Sequence, residues 1–79
     1  MGRLYGFTYR QTVQKLRRAG FEFDRYAKGS HEIWKNKETK MRTTVPNHPG
    51  SIPEGTLRAI VKQSGLSVDE FLARFLDEI

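Results

Sequence analysis

Proton transfer near neutral pH is imidazole chemistry, and this chain carries two imidazoles, His31 and His48, 17 positions apart. His31 follows directly on Lys28-Gly29-Ser30, a turn able to bring backbone amides near an anion, with Lys28 on one side and Lys35 on the other. A histidine so placed can take a proton while a phosphate is held beside it. A lone histidine opening a strand is more often structural or merely exposed, so the residue type does not decide the matter. His48 lies in the loop Pro46-Asn47-His48-Pro49-Gly50. It could approach a neighbouring sheet from there, though an exposed loop histidine is the plainer reading. Other chemistries find no support. Glu32 and Asp24 are isolated carboxylates with no acid/base partner at a useful spacing. No phosphate-cradling glycine loop, serine-nucleophile motif or zinc spacing occurs, and cysteine is absent. A metal site and a bound cofactor are therefore not expected.

The elements that must position these residues are legible in turn signals and periodicity. Thr8 and Gln11 have capping-box spacing, Gly20 offers a left-handed stop, and Tyr9, Val13 and Leu16 recur on one face, which predicts a first helix. Phe21 to Tyr26 alternates apolar and charged residues as a half-buried strand does, with Phe21 and Phe23 inward. Lys28-Gly29-Ser30 then turns the chain, and His31 to Lys35 resumes extended structure. Asn36 to Thr39 is the next turn, and Lys40 to Val45, rich in β-branched residues, is a third strand. Along it Lys40 and Arg42 alternate with Met41 and Thr43, extending a basic strip beside Lys28 and Lys35. In the middle strand His31, Ile33 and Lys35 share one face and Glu32, Trp34 and Asn36 the other. If Trp34 is buried, His31 and Lys35 look outward together; if Ile33 is buried, a bulge or the turn must free His31. Ser51 and Glu54 have capping-box spacing for a second helix with Leu57, Ile60, Val61 and Ser64 inward, closed by Gly65. Ser67 and Glu70 repeat that spacing before a terminal helix whose face is Val68, Phe71, Leu72, Phe75, Leu76 and Ile79. That face finishes the core or serves a partner. The expected fold is one α+β domain spanning residues 1–79, in the order α-β-β-β-α-α, around a three-stranded antiparallel sheet.

Charge points toward a partner. Of the 79 residues, positions 1–50 hold 11 Lys and Arg against 4 Asp and Glu, a net +7, whereas 51–79 hold 3 against 5, a net −2. A basic half attracts phosphate-rich polymers through counterion release and steering; solubility alone is the competing explanation. Apolar runs are too short to span a bilayer and no leader pattern occurs, so no membrane is expected and the expected compartment is the cytoplasm.

Four blocks in succession then resemble one family. They are Leu16-Arg17-Arg18-Ala19-Gly20-Phe21, Lys28-Gly29-Ser30-His31, Thr43-Thr44-Val45-Pro46-Asn47-His48, and Gly55 through Leu66. Together they resemble the HicA family of small bacterial toxins, mRNA interferases neutralised by a HicB antitoxin. The resemblance implies a fold like a double-stranded-RNA-binding domain, with an added C-terminal helix. It places the family's catalytic histidine at His31, within Gly-Ser-His. His48 matches a histidine often found after the family's Val-Pro, and no catalytic role transfers with it. Glu32 departs from the usual continuation of the motif.

What the resemblance implies chemically is metal-free cleavage of RNA. Neutral His31 would act as general base on a ribose 2′-hydroxyl, with Lys28, Lys35 or Arg42 stabilising charge on the phosphorane. The expected RNA contacts are Lys28, Gly29, Ser30, Lys35, Lys40, Arg42 and His48. Two other readings compete: an RNA-binding module without catalysis, and a protein-interaction domain whose charge serves solubility.

Overall fold

The computed structural model describes residues 3–73. Within them the element order is α1 (Tyr9–Arg18), β1 (Phe21–Tyr26), β2 (His31–Asn36), β3 (Arg42–Pro46), α2 (Glu54–Ser64) and α3 (Val68–Ala73). The strands form one antiparallel sheet in the order β1-β2-β3. This is the expected α+β, double-stranded-RNA-binding-domain-like architecture. The expected continuation of the last apolar stripe through Phe75, Leu76 and Ile79 lies outside the described residues. Among the described residues no helix is long and apolar enough to cross a membrane.

Local chemistry starts and stops the elements. Thr8 and Gln11 form the reciprocal capping box of α1, the Gln11 amide donating to Thr8 Oγ1 at 3.2 Å and the Thr8 amide to Gln11 Oε1 at 3.0 Å. Lys15, Arg17 and Arg18 in its last turn suit the negative end of the helix dipole. Gly20, at φ +99°, reverses the chain where a Cβ would come within 3.1 Å of Asn36 Nδ2. A second capping box joins Ser67 and Glu70 at the start of α3.

The core is Leu4, Val13, Leu16, Phe21, Trp34, Val45, Ile52, Leu57, Ile60, Val61 and Phe71. All four residues expected inward on α2 are buried. On β2 the alternation is decided: Glu32, Trp34 and Asn36 are buried against the helices, while His31 is exposed and Ile33 and Lys35 are half-buried on the opposite, open face. Burying the large indole drives this choice, since Trp34 removes far more apolar surface from water than Ile33 would.

Three expectations need correction. Phe23 is not buried; it is 42% exposed. The register passes from Phe23↔Trp34 to Arg25↔Ile33, leaving Asp24 as a bulge that twists this outer strand at the rim. Phe23 rests edge-on against Trp34 and Tyr26, with ring centroids 6.1 and 5.0 Å away. Ser51 does not cap α2. Its backbone pairs with Thr8 in an isolated bridge, the adjoining Ile52 amide donates to the Phe7 carbonyl at 2.6 Å, and the helix begins at Glu54. Lys40 does not lie on the third strand. It occupies the turn before β3 at φ +67°, its amide donating to the Asn36 carbonyl at 2.8 Å, so the alternation with Arg42 does not exist. On the outer side of β3, Gln63 of α2 accepts hydrogen bonds from the Thr44 amide at 3.2 Å and the Thr43 hydroxyl at 2.9 Å.

Candidate functional site

The β2–β3 register places the two histidines together. His31 pairs with Pro46, so the chain leaving β3 runs back alongside the turn that precedes β2. There the Asn47 amide donates to the Ser30 carbonyl at 3.0 Å, and the His31 amide closes its own turn on the Lys28 carbonyl at 3.3 Å. Gly29 takes φ +67°, the left-handed conformation this turn requires. The His31 and His48 rings stand edge to face with centroids 6.3 Å apart. Ser30 Oγ lies 3.3 Å from Nε2 and 3.4 Å from Nδ1 of His48. Lys28, Gly29, Ser30, His31 and His48 are all exposed. They make one cluster at one end of the sheet.

The remaining expected residues lie elsewhere. Lys35 pairs with Arg42 four residues along β2 from His31, a separation of roughly 13 Å by strand rise. Both project on the open face that carries His31. Lys40 sits beyond them in the hairpin turn. Lys35 and Arg42 therefore do not converge with Lys28 on one phosphate; they could meet a strand of phosphates extending away from the histidines. Among the described residues Lys28, Lys35 and Arg42 make no ion pair, whereas Arg25 contacts Asp24, and Lys37 lies 3.7 Å from Glu22. A shallow hollow lined by Glu22, Phe23, Asp24, Lys35 and Lys37 opens at the rim of β1; its mixed charge gives it no clear affinity for an anion.

Beneath the cluster is a residue that sequence reasoning left without a role. Glu32 is only 4% exposed, and three donors from three segments converge on its carboxylate. The Tyr9 hydroxyl of α1 donates to Oε1 at 2.7 Å, the Trp34 indole N–H of β2 to Oε1 at 3.0 Å, and the Asn47 side-chain amide to Oε2 at 3.0 Å. A carboxylate offers acceptors only and suits three donors. Asn47 is thus held twice, by Glu32 below and by Ser30 beside it, which fixes the backbone that presents His48. Burial, and then the hydrogen bond to Glu32 and its charge, push the Tyr9 hydroxyl up to about 12. The Arg17 guanidinium lies over the Trp34 ring at 5.1 Å and covers the same network from the helix side. A signal for Glu32 was present in the sequence. Alternation puts it on the Trp34 face, and a buried indole N–H needs an acceptor.

Among the described residues no group of three or more His, Asp or Glu side chains comes together as a metal ion would require. The arrangement offers two exposed imidazoles, a serine hydroxyl against the His48 ring, a lysine on the adjoining turn and a cationic face leading away. No curated protein matches the chain closely enough to count as a relative. The family model described as the HicA toxin of bacterial toxin–antitoxin systems matches residues 9–66, a span that contains the whole cluster, the sheet and both longer helices. The chain belongs to the HicA toxin family.

Proposed function

We propose that this toxin is a metal-independent endoribonuclease that cleaves mRNA in the cytoplasm, with His31 as general base, and that a HicB-type antitoxin neutralises it. The observation that carries the reading is the placement of His31. It is exposed at the first residue of β2, directly after the Lys28-Gly29-Ser30 turn, on the face where Lys35 and Arg42 project. A neutral imidazole there can take the proton of a ribose 2′-hydroxyl as that oxygen attacks the adjacent phosphorus. Lys28 serves the reacting phosphate and Lys35 and Arg42 serve phosphates farther along the strand, since strand rise separates the two groups. An acidic antitoxin surface laid on the open face would cover the histidine and match the charge.

The test is incubation of the purified chain with single-stranded mRNA fragments in EDTA, beside His31→Ala. We expect cleavage by the parent, a loss of about 10²- to 10⁴-fold in the variant, retained RNA binding in both, and no cutting of DNA, which lacks the 2′-hydroxyl. A variant that cuts at the parent's rate removes His31 from the chemistry. Binding without cleavage by either chain makes the protein an RNA-binding module, which the same cationic face would equally serve.

A further inference from the structure

We infer that His48 is the general acid that protonates the leaving 5′-oxygen, so that the two histidines work as an acid/base pair across one phosphate. This inference rests on the ribonuclease reading and extends it to the second half of the reaction. Expulsion of the 5′-oxygen as a bare alkoxide is unfavourable, so a proton donor opposite the base is needed. The donor must stand about one phosphate group away from His31 and must itself be held in place.

His48 meets both demands. Its ring lies 6.3 Å from that of His31, centroid to centroid and nearly perpendicular. At that spacing a single phosphate laid across the exposed edge of the pair can be met by a nitrogen from each ring, one at each reacting oxygen. The loop carrying it is anchored at Asn47 to the Ser30 carbonyl and to the buried Glu32 carboxylate, and Ser30 Oγ contacts the ring itself. Other proton carriers nearby are less suited. The Tyr9 hydroxyl is committed to Glu32 and pushed up to about 12. Lys28 sits on the turn before His31, where its charge is placed to hold the phosphate.

The step balances without a co-reactant. His31 takes the 2′-hydroxyl proton, the 2′-oxygen to phosphorus bond forms, the bond from phosphorus to the 5′-oxygen breaks, and that oxygen leaves with the proton of the His48 imidazolium. The products are a 2′,3′-cyclic phosphate and a 5′-hydroxyl. One imidazole must be neutral and the other protonated, so the rate should fall on both the acidic and the alkaline side.

A substrate with sulfur in place of the bridging 5′-oxygen separates the roles, because a thiolate leaves without protonation. The parent chain, His48→Ala and His31→Ala are compared on the oxygen and the sulfur substrates across pH. We expect His48→Ala to lose about 10²- to 10⁴-fold on oxygen, to recover to within about tenfold of the parent on sulfur, and to lose the alkaline decline in rate. His31→Ala should be impaired on both substrates. Equal losses for His48→Ala on the two substrates, or no loss on either, would overturn the proposal. Rescue of His31→Ala instead would reverse the assignment and overturn it as stated. A parent that cuts neither substrate would sink the ribonuclease reading itself, an outcome distinct from the others.

Discussion

The two ends of β2 are built on the same plan and put to different uses. At each end a polar residue on the helix-facing side is buried: Asn36 at the hairpin end, 5% exposed, and Glu32 at the histidine end, 4% exposed. Asn36 donates through Nδ2 to the Ala19 carbonyl at 3.1 Å and accepts from the Glu38 and Thr39 amides at 2.9 and 3.2 Å. These partners are all backbone groups, two in the hairpin turn and one at the C-terminal cap of α1. Glu32 answers three side chains instead, from α1, β2 and the loop after β3. Backbone partners fix a turn. Side-chain partners tie separate elements to one point, and that point lies directly under the two histidines.

Breaking Glu32 should have the largest effect. Glu32→Ala leaves the buried Trp34 N–H and the Tyr9 and Asn47 donors without their acceptor, a cost of about 1–3 kcal/mol, read from urea unfolding. It also releases Asn47, so RNA turnover by the folded fraction should drop by up to about 10²-fold, the order that a small misplacement of a reacting group carries. Unchanged turnover would mean that the carboxylate is structural only. Asn36→Ala sharpens the contrast. It should cost a similar about 1–3 kcal/mol in the same unfolding measurement, while turnover per folded molecule stays at the parent's level. If it matches Glu32→Ala in turnover, the two ends are not functionally distinct.

The smallest effect concerns pH. Tyr9 ordinarily ionises near 10, and folding raises that value to about 12. Its neutral form is favoured in the folded chain, so its contribution is whole below about 10 and is lost as pH rises toward about 12. Unfolding midpoints followed through that window should fall more steeply for the parent than for Tyr9→Phe. Parallel curves would argue against the Tyr9–Glu32 bond.

Much of this architecture was readable from the chain because periodic burial and capping chemistry are local. Val13 and Leu16 on α1, and Leu57, Ile60, Val61 and Ser64 on α2, follow the helical repeat and are buried as expected. The misses are tertiary. Nothing near Phe23 announces that Asp24 will bulge, nothing near Ser51 announces its pairing with Thr8, and Lys40 entered a left-handed turn that residue type alone does not favour. The contact between Ser30 and His48 depends on the β2–β3 register, which the Asn36 turn sets at the opposite end of the hairpin. His31 was singled out by its motif. The position of His48 beside it, and the carboxylate beneath both, needed the folded chain.

A three-stranded sheet has two rims open to the addition of a foreign strand, the route by which many small β-containing proteins aggregate or recruit partners through their backbone. Here one rim is kinked by the bulge at Asp24, with charged Asp24 and Arg25 side by side. On the other, Gln63 occupies the outward amide of Thr44. Neither rim presents a regular ladder of hydrogen-bonding groups, so sheet extension is discouraged at both sides. Recognition by a partner therefore falls to side chains rather than to the backbone, and on the open face those side chains are the ones that also serve the proposed chemistry.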